Sequence, residues 1–395
     1  MRRSPSTARV HPLPAISLAA LAAALPVLLT VLLLGGGPVP AGAEILRLGL
    51  PARDLQPARY CLTEPGAEYS WSDGEPRTLV PRRGLFSYFW QGETPLWPRA
   101  DLPETVSMGE SIRALLVSPE PLEGLEARLG AGGGEPEMRV PAFPLSQDGR
   151  AWSVLLGVAS TAEAGERSLV LRGWSGDREF EVYESLHILH REFNAESIAF
   201  NQPLSELMTI PDPRREVEYL RLREILQGRD PSALHHVGPL EVPVDTTRRT
   251  AHFGDRRLYR YADGTSSRSL HNGVDLAAPT GSPVTASGAG RVVLAADRLI
   301  SGLTIVLEHL PGVFSLYFHL DSLDVAEGRI VEKGERIGTV GMTGLATGPH
   351  LHWELRVSGV AVDPDSLVRA PLVDRQRLEA LAEATAPGPP TSESF

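Results

Sequence analysis

A chain of 395 residues with 42% hydrophobic residues exceeds what a single core usually organises, so two folded units plus connecting and terminal segments are expected. Its 38 basic residues, all Arg except Lys333, stand against 49 acidic ones, and the net charge of −11 argues against a nucleic-acid partner. Cys61 is the only cysteine, which excludes an intramolecular disulfide and a cysteine-based metal site, so any metal must be held by histidines and carboxylates. The 38 glycines and 34 prolines, spread along the chain, suit short strands joined by turns and predict a mainly β protein.

The chain starts with Arg2, Arg3 and Arg9, continues with an apolar run from Ala15 to Leu34, and reaches the small residues Ala41-Gly42-Ala43 before Glu44. That order predicts an export signal over residues 1–43, with the mature chain starting at Glu44. The alternative is a retained membrane anchor, because a 20-residue helix over residues 15–34 spans roughly 30 Å. Either outcome delivers the rest of the chain outside the cytoplasm.

Residues 44–189 predict a β-sandwich, immunoglobulin-like module. Aromatics cluster from Tyr60 to Trp97, and short apolar runs such as Ile112 to Val117, Trp152 to Val158 and Phe180 to Tyr183 follow, separated by turn residues. No ligand-type residues cluster there, so the module is expected to position or shield the rest without chemistry of its own. Residues 190–236 predict a helical connection: Asp212 as cap, Pro213 at the first helical position, a stripe of Val217, Leu220, Ile225 and Leu226, and Gly228 as stop. Strands return in residues 237–370, with a glycine at almost every turn. Residues 371–395 predict a short helix around Asp374 to Ala384 and a disordered tail.

Five of the 11 histidines fall between His271 and His352, and this concentration suggests a metal. In His271-Asn272-Gly273-Val274-Asp275, residues four apart in a straight strand would be separated by roughly 13 Å, so the chain must bend between them, and Gly273 offers the place. In Gly348-Pro349-His350-Leu351-His352-Trp353-Glu354, alternation puts His350 and His352 on one strand face, roughly 7 Å apart, with Trp353 on the other. His319 stands at the expected end of an apolar strand that starts near Val313. Glu308 and Glu354 are further acid or base candidates; the solvated-strand reading is preferred for Glu354.

These clusters, together with Phe253-Gly254, Ala278 to Val284, Gly288 to Val293, Val331 to Gly334 and Gly341 to His352, resemble the lysostaphin/LytM-type zinc endopeptidases of bacterial cell walls. The resemblance covers about residues 250–367. It implies an antiparallel β peptidase domain with one Zn²⁺ per chain, held by His271, Asp275 and His352, and catalytic histidines His319 and His350. It also implies peptidoglycan peptide as substrate and a periplasmic or extracellular location. His350, fixed beside His352, is the preferred general base. The alternative is a silent relative that only binds cell wall or activates amidases; such proteins usually lack some ligands, and here all five positions are kept. A biotinyl-type carrier would need a Lys at a hairpin tip, whereas Lys333 lies inside a half-motif.

Overall fold

The computed structural model describes residues 98–131, 136–176 and 178–385, together with short strands at Glu44–Ile45, Glu68–Ser70, Pro76–Thr78 and Leu85–Trp90. The expected signal or anchor over residues 1–43, the side chains of the aromatic cluster from Tyr60 to Trp97, and the tail 387–395 lie outside what is described. Among the described residues no helix is long and apolar enough to cross a membrane.

The chain is mainly β. Between residues 98 and 189 two sheets enclose one apolar core. One sheet places Arg178–Leu189, Gly165–Ser175, Gly124–Gly130 and Met138–Pro141 side by side; the other orders Phe143–Pro144, Ala151–Gly157, Ser111–Val117 and Arg99–Asp101. Strand alternation in the second sheet explains why its sequences read as nearly unbroken apolar runs. Ile112, Ala114 and Leu116, with Trp152, Val154 and Leu156, point into the core between the two sheets. Their neighbours Leu115 and Leu155 point the other way, into the core of the following domain. A sheet buried on both faces loses the polar half of the usual alternation.

Polar ties reinforce this second contact. Arg113 Nη1 donates to Pro371 O at 2.9 Å, Ser358 Oγ to Leu155 O at 2.6 Å, and the Asp363 amide to Gly109 O at 2.6 Å. Arg191 pairs with the buried Asp363 at 2.7 Å. At Gly157 a Cβ would stand 2.7 Å from Val357 O, so the two backbones touch only because the residue has no side chain.

Residues 190–236, expected to be a helical connection, hold a strand as well as helices. Ala195–Ala199 runs parallel to Arg256–Arg260, which forms a hairpin with Ser266–Leu270. Helices Gln202–Thr209 and Pro213–Gln227 follow; Asp212 caps the second by accepting from the Arg214 amide, and Gly228 ends it. The face that packs differs from the expected stripe. Leu222, Ile225 and Leu226 meet the sheet, while Val217 and Leu220 are exposed. At 100° per residue the first three lie within about 100° of one another, and Val217 and Leu220 fall on the opposite side.

The C-terminal domain is built on a ten-stranded sheet whose central path runs Arg249–Ala251, Gly273–Leu276, Leu351–Val357, Val313–Leu323, Gly302–Leu310, Gly290–Arg298 and Ile330–Val331. Its core contains Tyr317, Trp353, Leu276, Leu307 and Val340, all essentially inaccessible. Short helices Pro364–Val368 and Arg375–Thr385 follow.

Candidate metal centre

Three adjacent strands bring the candidate residues into one row across the sheet. Asp275 on Gly273–Leu276 lies directly opposite His352 on Leu351–Val357, and Phe318 on Val313–Leu323 lies opposite His352 on its other side. The Phe318 ring stacks on the His352 ring at 5.2 Å and 8°. His271 stands just outside this row, where its amide donates to Asp255 O and its carbonyl accepts from the Gly254 amide.

His271 Nε2, Asp275 Oδ1 and His352 Nδ1 lie 2.9 Å from one another. The hydrogen bonds around them fix where protons can sit. His271 Nδ1 is 2.7 Å from the His252 carbonyl, which only accepts, so Nδ1 carries the hydrogen and Nε2 offers a lone pair. His352 turns Nε2 towards Glu354 Oε2 at 3.5 Å and Nδ1 into the cluster. Three electron-rich atoms thus converge in a buried place, an arrangement that needs a positive charge among them.

A proton can supply that charge. Burial alone would lower His352, but hydrogen bonds and charges of Asp275 and Glu354 outweigh it and raise His352 to about 9. Burial likewise pushes the Asp275 carboxyl up, while its bonds to His271 and His352 hold it well below the usual range. Burial keeps His271 below its ordinary value. A divalent cation satisfies all three donors at once. The N, O, N set is that of zinc sites, and tetrahedral bonds of 2.0–2.1 Å place donors about 3.3 Å apart, within a few tenths of an ångström of the spacing here.

Gly273 does something other than bend the chain. It carries no positive φ, and it lies within a strand. A Cβ there would stand 2.3 Å from Trp353 O and 2.9 Å from His352 Nε2, so glycine is required by close approach.

His319 also differs from expectation. It lies inside the strand Val313–Leu323 rather than at its end. Ile305 pairs with Tyr317 but Leu303 with Leu320, so one extra residue bulges out, and His319 takes φ 60. Plain alternation would turn His319 away from Phe318; the bulge brings both to the same side. The conformation costs about 1–3 kcal/mol in a residue with a Cβ. His319 Nδ1–H donates to Thr343 O at 2.8 Å, and burial, with His350 and His352 nearby, pushes its pKa down to about 3. The His319 ring lies 4.9 Å from that of His350, whose Nδ1–H donates to Gly348 O at 2.8 Å and whose Nε2 is 3.7 Å from Asp275 Oδ1. Both imidazoles therefore carry their hydrogen on Nδ1 and leave Nε2 free.

Trp353 is fully buried, as alternation requires. Glu354 is not a solvated strand residue: it is buried and ion-paired with Arg356 as well as facing His352. Glu308 pairs with Arg291, outside the cluster. Sequence reasoning misses Arg257, which donates from Nη2 to Asp275 Oδ2 at 2.9 Å. The available signal was the turn Ala262-Asp263-Gly264: closed between Tyr261 and Thr265, it registers Arg257 against Ser269, two residues before His271.

Residues 269–364 match the family described as Peptidase family M23. A DD-carboxypeptidase/endopeptidase, Mpg, of Neisseria meningitidis is 42% identical over 125 residues, covering 32% of this chain and 28% of that protein. The peptidoglycan DD-endopeptidase ShyA of Vibrio cholerae is 33% identical over 189 residues, covering 48% of this chain and 42% of that protein. The chain thus spans less than half the length of either relative. Among solved structures, the catalytic domain of lysostaphin from Staphylococcus simulans is 29% identical and covers 31% of this chain and 92% of that one, with a TM-score of 0.26. With the His-Asp-His cluster and the matched segment coinciding, this chain carries a domain of peptidase family M23, the LytM/lysostaphin family.

Proposed function

We propose that the chain is an exported zinc metalloendopeptidase that hydrolyses peptide bonds in bacterial peptidoglycan. The observation that carries the reading is the convergence of His271 Nε2, Asp275 Oδ1 and His352 Nδ1 at 2.9 Å beside two further histidines. In this reading those three residues hold the ion. When bound, zinc supplies Lewis acidity, acidifying water and polarising a carbonyl.

The chain's own side chains do the rest. Thr343 O and Gly348 O hold the Nδ1 hydrogens of His319 and His350, so each Nε2 keeps its lone pair as a proton acceptor. One imidazole takes the proton of the attacking water at Nε2 and, as imidazolium, returns that proton to the departing amine; the other holds the developing negative charge only when its own Nε2 carries a proton. The M23 match and the peptidoglycan-cleaving relatives support the wall peptide as substrate. They also support a location outside the cytoplasm, where that substrate is.

The test is digestion of purified walls with identification of released fragments by mass spectrometry. New amine and carboxyl ends are expected from the wild-type chain; a strong chelator abolishes their appearance and added zinc restores it. Cleavage that persists after complete metal removal, or none by the zinc-loaded chain, contradicts the reading.

A further inference from the structure

The strands Ala195–Ala199 and Arg256–Arg260 both lie upstream of the family-matched segment, yet they reach the metal cluster. Glu196 is in register with Arg257, and Arg257 Nε donates to Glu196 Oε1 at 2.6 Å. At its other end, Arg257 Nη2 donates to Asp275 Oδ2 at 2.9 Å, while Asp275 Oδ1 faces His271 and His352. The two carboxylate oxygens therefore have separate tasks. The Arg257 and Asp275 side chains are only 12% and 10% exposed, so this charge-assisted bond is little weakened by water. A carboxylate torsion is broad and roughly two-fold, and without a partner Asp275 is free to rotate or to offer both oxygens.

We propose that Arg257, held by Glu196, is a positioning residue that keeps Asp275 a one-oxygen donor, so that the metal site is completed by chain outside the M23 segment. The proposal rests on the reading that His271, Asp275 and His352 hold zinc. The neighbouring Arg256 fastens the same hairpin to the β-sandwich. Its Nη2 donates to Ser160 O at 2.6 Å, and its guanidinium lies 4.6 Å over Phe193. The brace on Asp275 is thereby anchored in the upstream module.

The experiment measures zinc affinity of the full chain by competition with a chromophoric chelator, together with the visible spectrum of the cobalt-substituted protein. Arg257→Met is expected to weaken zinc binding about 10- to 100-fold, the usual effect of removing a partner behind a ligand, and to change the cobalt bands as the carboxylate re-orients. Glu196→Gln weakens binding in the same direction but less, and Arg257→Lys recovers part of the loss. Arg260→Gln, an exposed neighbour that touches Ser197, leaves both readouts unchanged and controls for hairpin loosening. Should Arg257→Met fail to fold, Glu196→Gln decides. Wild-type affinity and spectrum in both Arg257→Met and Glu196→Gln overturn the proposal. A wild-type chain that takes up no zinc overturns the functional reading instead, and this inference with it.

Discussion

Truncating Leu155 to Ala separates a docked module from one that is merely tethered. Leu155 sits on Ala151–Gly157, between neighbours that fill the sandwich core, but its own side chain is 2% exposed within the core of the C-terminal domain. If the two parts fold together, Leu155→Ala removes buried methyl groups and leaves a cavity, with a loss of about 2–5 kcal/mol. If the module were an independent appendage, Leu155 would behave as a surface residue, and the change would stay within about 0.5 kcal/mol. Urea denaturation of the full chain, followed by circular dichroism, reads the difference as a midpoint shift at unchanged slope. With a slope of about 3 kcal/mol/M, a 3 kcal/mol loss moves the midpoint by about 1 M. A single transition shifted by that amount is expected. A Leu155→Ala midpoint equal to that of wild type refutes the shared core.

His309, fully buried, donates from Nδ1 to Ala289 O and faces Ser315 Oγ with Nε2; burial, with His236 and His235 nearby, pushes its pKa down to about 4. The unfolded chain protonates this group near pH 6.5 and the folded chain does not, so stability present above pH 6.5 declines down to pH 4, by about 3 kcal/mol. Melting curves between pH 7.5 and 4.5 check this: His309→Asn should show a flatter decline, and an identical slope contradicts it. Gly302 adopts φ 62, and a Cβ there would stand 2.1 Å from Thr343 Oγ1. Gly302→Ala is expected to displace the Thr343 carbonyl that holds His319, lowering turnover about 10²-fold with zinc content unchanged; metal analysis beside wall-digestion rates checks it.

What the sequence reveals depends on whether a feature is local. The His350-Leu351-His352 alternation, the burial of Trp353 and the Asp212 cap each follow from a few neighbouring residues, and the structure bears them out. The bulge at His319 is a one-residue slip between two strands, visible only once both are paired. Gly273 owes its identity to Trp353 O, 80 positions away. Leu115 and Leu155 look like ordinary strand residues, and only the docked domain explains why their faces are apolar. Arg257 is legible only through the turn that registers its strand beside His271, since its partners Glu196 and Asp275 come from separate strands.

Five residues divide between two tasks, and zinc content measured beside wall-digestion rates on five single-Ala variants tests that division. His271→Ala, Asp275→Ala and His352→Ala are each expected to lose zinc and activity together, because two remaining ligands hold the ion poorly. His319→Ala and His350→Ala are expected to keep about one zinc per chain while turnover falls by about 10² to 10⁴, the usual contribution of a positioned acid or base. Zinc retained in His352→Ala but lost in His350→Ala, or full activity in all five, contradicts the account.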